Sequence, residues 1–453
     1  FLKSLSLSLC MLAALAGIHV LLEKIGGVRL NAGLCALWLA AAVFWIWAIG
    51  MRQRADAQLV MADASQFARG YYGALSEDYL QVYTYQLGLC LPLHVLAKLL
   101  SGPALGQLDF AAQCLNAALG IAGAGVLAAL AQEIFEKRAA LAALLLYIVS
   151  LPTLLFAQFV YNINLMILLC AGMMLCFARY VRTGRVRFGA GYALLGGLAL
   201  AAKPNAAVVL LALFICALMH GWARKDGKIV LFAALSFAIG KGALAAVTAW
   251  YAQKGGVTFR ANVSMWARLA MGMQESPIAA GWYNNYTERF FSADVTAEQE
   301  KAQALADIGA QLCRMRENPA AALAFYREKL LTQWLEPACD MLWSGQLSEK
   351  AGRYTGVIRG IYGAPGALRG WMEGYMDAMQ TAVLMIPMTV LGGALYHLIF
   401  EAKAQYAYPY MVYMLPLAAA GLCRLEDGAA RLICSGKKWV QRRAECARTS
   451  HRD

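Results

Sequence analysis

Charge is scarce in this 453-residue sequence. Asp, Glu, Lys and Arg together supply 15% of it, against about 25% in an average soluble domain. With 60% hydrophobic residues and a mean hydropathy of +0.52, that shortage excludes an ordinary soluble fold. The twelve cysteines include no CxxC pair and no metal-ligand spacing. Most lie inside apolar runs (Cys35, Cys90, Cys170, Cys176, Cys216), where a thiol packs as a small hydrophobe. No Walker loop, no GxGxxG at a strand–helix junction and no metalloprotease motif is present. Those absences argue against a nucleotide-driven pump and against a cytoplasmic nucleotide-sugar enzyme. Internal repeats and low-complexity tracts are missing as well.

What the sequence does contain is a succession of apolar runs, at roughly 5–22, 31–50, 84–99, 108–132, 139–152, 155–178, 189–201, 204–222, 229–251, 386–400 and 407–424. A full crossing takes about 20 residues, so the shorter runs read as tilted, paired or half-inserted. The first run has no small-residue cleavage pattern after it and reads as a span. The expectation is an all-α, polytopic membrane protein of roughly ten transmembrane helices, with juxtamembrane helices and an extracytoplasmic helical segment. Its expected divisions are an N-terminal transmembrane module, 1–251, that includes a first outer loop, 51–107; a largely helical extracytoplasmic segment, 252–376; a transmembrane hairpin, 377–424; and a basic cytoplasmic tail, 425–453.

The net charge of +13 resides in short loops and the tail. It therefore reads as a topology signal rather than as a nucleic-acid surface. Lys24, Arg29, Lys137, Arg138, the cluster Arg179, Arg182, Arg185 and Arg187, and Arg224, Lys225 and Lys228 are all expected on the cytoplasmic side, with the tail. The loops 51–107 and 252–376 and the turn at Lys203 then face outward, provided that 84–99, which holds Pro92 and His94, does not cross. Parity leaves 377–400 re-entrant, or one crossing absent before residue 386. In 252–376, Asp294 and Thr296 are plausible caps for a helix over 297–316. Asn318-Pro319 reads as the start of a second helix, which places Phe325, Leu330, Leu331 and Trp334 at near-helical spacing.

Polar groups beside lipid are costly and tend to be functional or paired. Four clusters qualify. Asp56 follows the span 31–50; it suits a general base toward a sugar hydroxyl, or else pairs with Arg52 or Arg54, and Asp63 lies two turns on. Tyr83-Thr84-Tyr85-Gln86-Leu87-Gly88 opens an apolar run, as a sugar-site lining or an interfacial aromatic belt. Gly281-Trp282-Tyr283-Asn284 combines aromatic faces with amide donors, and a surface loop is the plainer reading. Glu401-Ala402-Lys403-Ala404-Gln405-Tyr406, with Lys203 at another outer turn, offers cations at the surface, and a Glu401–Lys403 balance is the plainer reading.

In order along the chain, these clusters resemble the GT-C class of membrane glycosyltransferases, in the branch of bacterial relatives of protein O-mannosyltransferases and aminoarabinose transferases. The pieces are Asp56, Tyr83–Gly88, Phe159-Val160-Tyr161-Asn162, Ala202-Lys203-Pro204-Asn205, Gly281–Asn284, Trp334-Leu335-Glu336-Pro337 and Glu401–Tyr406. The resemblance implies inverting transfer of a monosaccharide from a polyprenyl-phosphate carrier to an extracytoplasmic glycan, lipid or protein acceptor. It implies Asp56 as catalytic base and Lys203 and Lys403 as partners of the carrier phosphate. Tyr85, Gln86, Tyr161, Asn162, Trp282, Asn284, Glu401, Gln405 and Tyr406 would bind sugar or acceptor. The family's usual second acid is missing beside Asp56, whose neighbours are Ala55 and Ala57, so Asp63 or Glu336 would stand in. No cofactor is required, and a divalent metal stays open. A flippase or transporter of a lipid-linked sugar is the alternative, although the paired broken helices of such proteins are not apparent.

Overall fold

A computed structural model describes residues 2–25, 27–260, 262–291, 295–335, 345–346 and 381–431. Among these residues the chain is overwhelmingly helical. The helices are α1 (Leu2–Ile25), α2 (Val28–Ile49), α3 (Asp56–Ala68), α4 (Asp78–Val82), α5 (Leu87–Leu100), α6 (Leu108–Ile134), α7 (Lys137–Val149), α8 (Leu151–Ala157), α9 (Ile163–Thr183), α10 (Val186–Ala202), α11 (Ala206–Arg224), α12 (Gly227–Gly255), α13 (Met265–Gly272), α14 (Ala297–Glu317), α15 (Pro319–Leu335), α16 (Thr381–Ile399), α17 (Tyr408–Tyr413) and α18 (415–431). A two-residue antiparallel pairing joins Arg52 to Gln346 and Gln53 to Gly345.

Five helical stretches among the described residues are long and apolar enough to cross a membrane: Arg29–Ile49, Ala104–Ile134, Ile163–Thr183, Ala206–Arg224 and Gly227–Gly255, with shorter apolar helices between them. The expected polytopic all-α membrane fold is what the chain adopts. The core forms around α6, which packs on α2, α7 and α9, while α10 lies between α9 and α12 and α11 contacts α16. Small residues permit these approaches, as is usual where lipid supplies no hydrophobic drive. A Cβ on Gly197 of α10 would lie 3.1 Å from the Gly240 nitrogen of α12, and one on Gly240 would lie 3.0 Å from the Gly197 oxygen.

The apolar run 155–178 is not one helix. It breaks at 158–162, where Asn162 adopts a left-handed φ of 55°. The short run 84–99 becomes α5, whose 14 residues are too few for a straight crossing. In the segment after α12, Thr296 and Gln299 form a reciprocal capping box on α14, and the Asn318 carboxamide accepts from the Ala321 N–H at the start of α15. The proposed cap at Asp294, Glu336, the parity question over 336–380 and the basic residues of the tail beyond 431 all lie outside the described residues. On α15 the buried face is not the leucine stripe. Phe325, Lys329 and Gln333 are buried at four-residue spacing, whereas Leu330 and Leu331 are exposed, as suits a helix lying on a membrane.

Candidate functional site

The site is assembled from chain breaks at one end of the helical bundle. Helix α2 stops at Gly50, whose left-handed φ of 59° lets its N–H reach the Ile46 carbonyl. The chain then turns so that Asp56 opens α3. Ala55 before it holds φ 52° with ψ −135°, a conformation that costs an L-residue of order 1–3 kcal/mol. Buried amides stitch this turn to the break between α8 and α9. The Asn116 amide donates to the Phe156, Ala157 and Phe159 carbonyls. Gln53 donates to the Gln158 carbonyl and accepts from the Val160 N–H, and Gln113 donates to the Met51 carbonyl. These bridges tie the two loops together.

Upon that unit Asp56 meets Tyr161. The phenol donates to Asp56 Oδ2 at 2.7 Å, and Tyr79 hydrogen-bonds the same carboxylate. The Gln86 amide donates to both phenolic oxygens, each at 3.0 Å. Asn162 donates to the Gly88 carbonyl at the start of α5 and to the Ala202 carbonyl at the end of α10. Lys203 follows; Pro204 after it disfavours continuing the helix. Its ammonium donates to the Tyr161 carbonyl at 3.1 Å and lies 3.6 Å from the centre of the Tyr161 ring. Burial lowers the Lys203 pKa to about 7; Asp56 counters that effect and Lys403 adds to it.

Facing these groups is the loop after α16. Glu401 pairs with Lys403 at 2.9 Å, its carbonyl lies 2.9 Å from His397 Nδ1, and Tyr406 donates to its carboxylate at 3.3 Å. Lys403 also lies 5.3 Å from the Tyr283 ring centre. A cavity of about 100 Å³ separates the two walls. Tyr85, Gln86, Tyr161, Asn162, Lys203, Glu401 and Tyr406 line it, together with Arg268 and His397. Gln405 and Lys203 border a smaller cavity beside it.

Two cations here escaped sequence reasoning. Arg268 lies in the short helix α13 with its guanidinium 4.9 Å from the Tyr85 ring centre. Burial opposes its charge, but the phenols of Tyr85, Tyr83 and Tyr396 and the Glu401 carboxylate raise its pKa on balance. Lys329 of α15 is fully buried and donates to the Gly272 and Ile399 carbonyls, where it binds the C-terminal ends of α13 and α16 together. Burial lowers its pKa to about 7, with Glu401 opposing.

Other expected residues fall elsewhere. Trp282 is buried, the Asn284 amide is engaged with Gln274 and Glu275, and neither lines the cavity. Asp63 is buried and does not line the cavity. Burial and then the charge of Glu77 push its carboxyl up to about 6.

Residues 92–250 match the family model described as dolichyl-phosphate-mannose-protein mannosyltransferase. That stretch, less than half of the chain, is similar to the GT-C class membrane glycosyltransferases. The matched stretch runs from within α5 through α12 and holds Tyr161, Asn162 and Lys203. Asp56, Arg268 and Glu401 lie beyond it, and reach the matched stretch only through the folded chain. No curated protein matches the chain significantly.

Proposed function

We propose that this multi-pass membrane glycosyltransferase moves a monosaccharide from a polyprenyl-phosphate carrier to an extracytoplasmic glycan, lipid or protein acceptor, with inversion at the anomeric carbon. The convergence of Tyr161, Lys203 and Arg268 on one cavity, with Asp56 held against the Tyr161 phenol, carries this reading. Asp56 takes the proton of the acceptor hydroxyl as its oxygen attacks C1. The C1–O bond to the carrier phosphate breaks, and its electron pair stays on the phosphate. Lys203 and Arg268 face the negative charge that develops there, in a buried place where such preorganised cations act strongly. Lys403, neutralised in part by Glu401, is a further phosphate partner within reach of a modest side-chain shift. Tyr85, Gln86, Asn162 and Tyr406 offer stacking faces and hydrogen bonds to the sugar.

In this reading the cavity opens on the extracytoplasmic side, and the basic helix ends at the other pole face the cytoplasm. The divisions 1–251, 252–376, 377–424 and 425–453 follow from that orientation. The test is a transfer assay with purified full-length protein and radiolabelled polyprenyl-phosphate sugars. Transfer with inverted anomeric configuration is expected, and Asp56→Asn should reduce it by about 10²–10⁴-fold. Undiminished transfer by Asp56→Asn removes that residue as base. Absence of transfer with every donor, together with carrier movement across liposomes, would replace the enzyme reading by a flippase.

A further inference from the structure

At the pole opposite the cavity, three side chains able to ligate a metal meet between the first and last described helices. His19 of α1 and Cys423 of α18 are fully buried, and the Glu426 side chain is 6% exposed. His19 Nδ1 lies 2.8 Å from one Glu426 oxygen and 3.0 Å from the other. Cys423 stands three residues before Glu426, on the same helical face. The ligand atoms of all three lie within 4.8 Å of one another.

The far side of the imidazole is also committed, with Nε2 3.1 Å from the Arg138 carbonyl at the start of α7. Both ring nitrogens thus face oxygen acceptors, while a neutral imidazole has one N–H to donate. A cation beside Nδ1, with the Nε2–H donating to the Arg138 carbonyl, satisfies both contacts, and metal-bound histidines are commonly oriented in this way. The surrounding charge favours a cation. Glu426, Glu136 and Glu23 all act on Cys423, against Arg138, and Arg138 is already held by Asp427 and Glu136.

We propose that His19, Cys423 and Glu426 form a binding site for a divalent metal of the zinc class, which staples α1 to α18. One nitrogen, one sulfur and one carboxylate oxygen, all buried, are a donor set that zinc accepts and that hard cations such as magnesium do not select. Loading expels the thiol proton, so protons compete with the metal.

The experiment uses the full chain in detergent, stripped with a chelator and titrated with Co²⁺. One equivalent should bind and produce a thiolate-to-cobalt charge-transfer band, which Zn²⁺ then bleaches. Cys423→Ser, which keeps the His19–Glu426 contact, should lose the band. Glu426→Gln should weaken Co²⁺ binding at least about tenfold. Zinc should raise the thermal midpoint of the unmutated chain and not that of Cys423→Ser. A chain with no saturable band, or a band undiminished in Cys423→Ser, overturns the proposal. The first of these outcomes is independent of whether any variant folds.

Discussion

The two poles of the helical bundle treat charge in opposite ways. At the pole where α7 and α12 start and α9 ends, basic residues are exposed or paired locally. Arg179 and Arg182 grip Glu133 at 3.3 and 2.8 Å, and Arg138 grips Glu136 and Asp427. At the other pole the cations are turned inward. Lys203 and Lys329 are buried with backbone carbonyls as their hydrogen-bond partners, and Arg268 lies against tyrosine rings. Charge that only orients a chain in a membrane can stay solvated. Charge held without a carboxylate in direct contact inside protein is expensive, and the rigid amide-stitched loops sustain that expense. The difference marks the cavity pole as the place where an anion would find a prepared partner.

The sharpest way to break this contrast is to remove the most enclosed guanidinium. Arg268→Ala is expected to lower kcat/KM for transfer by roughly 10²–10³-fold, with Arg268→Lys recovering only part because a point charge lacks the planar fork. Loss confined to thermal stability, with transfer kinetics intact, would make Arg268 a packing residue like Lys329. Next in size is Gly88→Ala. An added Cβ would meet the Ala201 carbonyl oxygen at 2.1 Å, and backbone cannot yield as a side chain does. The clash should cost about 2–3 kcal/mol, separate α5 from α10, and weaken the Asn162 bridge between them. An unchanged thermal midpoint in detergent would show that this junction has slack.

Sequence alone revealed the spans and most of one cavity wall. Tyr83–Gly88 and Lys203 stand at ends of apolar runs, where a polar residue is conspicuous, and Tyr161-Asn162 is a polar step inside one. Arg268 and Lys329 were illegible for the converse reason. They sit inside segments with an amphipathic pattern, and pattern does not tell whether a basic residue points to water or to a neighbouring helix. On α15 the leucines suggested the buried face, yet Lys329 and Gln333 occupy it and Leu330 and Leu331 are exposed. Asp63 shows the limit of helical spacing. Seven residues place it on nearly the same face as Asp56, but α3 packs against α5, and there Asp63 is buried while Asp56 meets the Tyr161 phenol.

Lys203 supplies a smaller, graded test. Its buried ammonium titrates near 7, so its charged fraction falls as pH rises through that value. An anionic phosphodiester donor needs the charged form, and its own charge is constant over this range. Donor KM should therefore rise about tenfold between about pH 6 and pH 8, and Lys203→Arg should flatten the profile because guanidinium stays protonated. A profile of unchanged slope in the arginine variant would assign the titration to another group.

The smallest effect belongs to the opposite pole and completes the contrast. Arg182 is 65% exposed in its pair with Glu133. Water screens such a pair and side-chain ordering offsets its attraction, so Arg182→Ala should change stability by no more than about 0.5–1 kcal/mol. Arg179 remains to hold Glu133, and transfer should proceed at the unmutated rate. If this variant instead impaired transfer as strongly as Arg268→Ala, the poles would be coupled through α9, whose first residue adjoins Asn162 and whose last turn carries Arg182. The division between a solvated orienting pole and a buried reacting pole would then give way to a single mechanical unit.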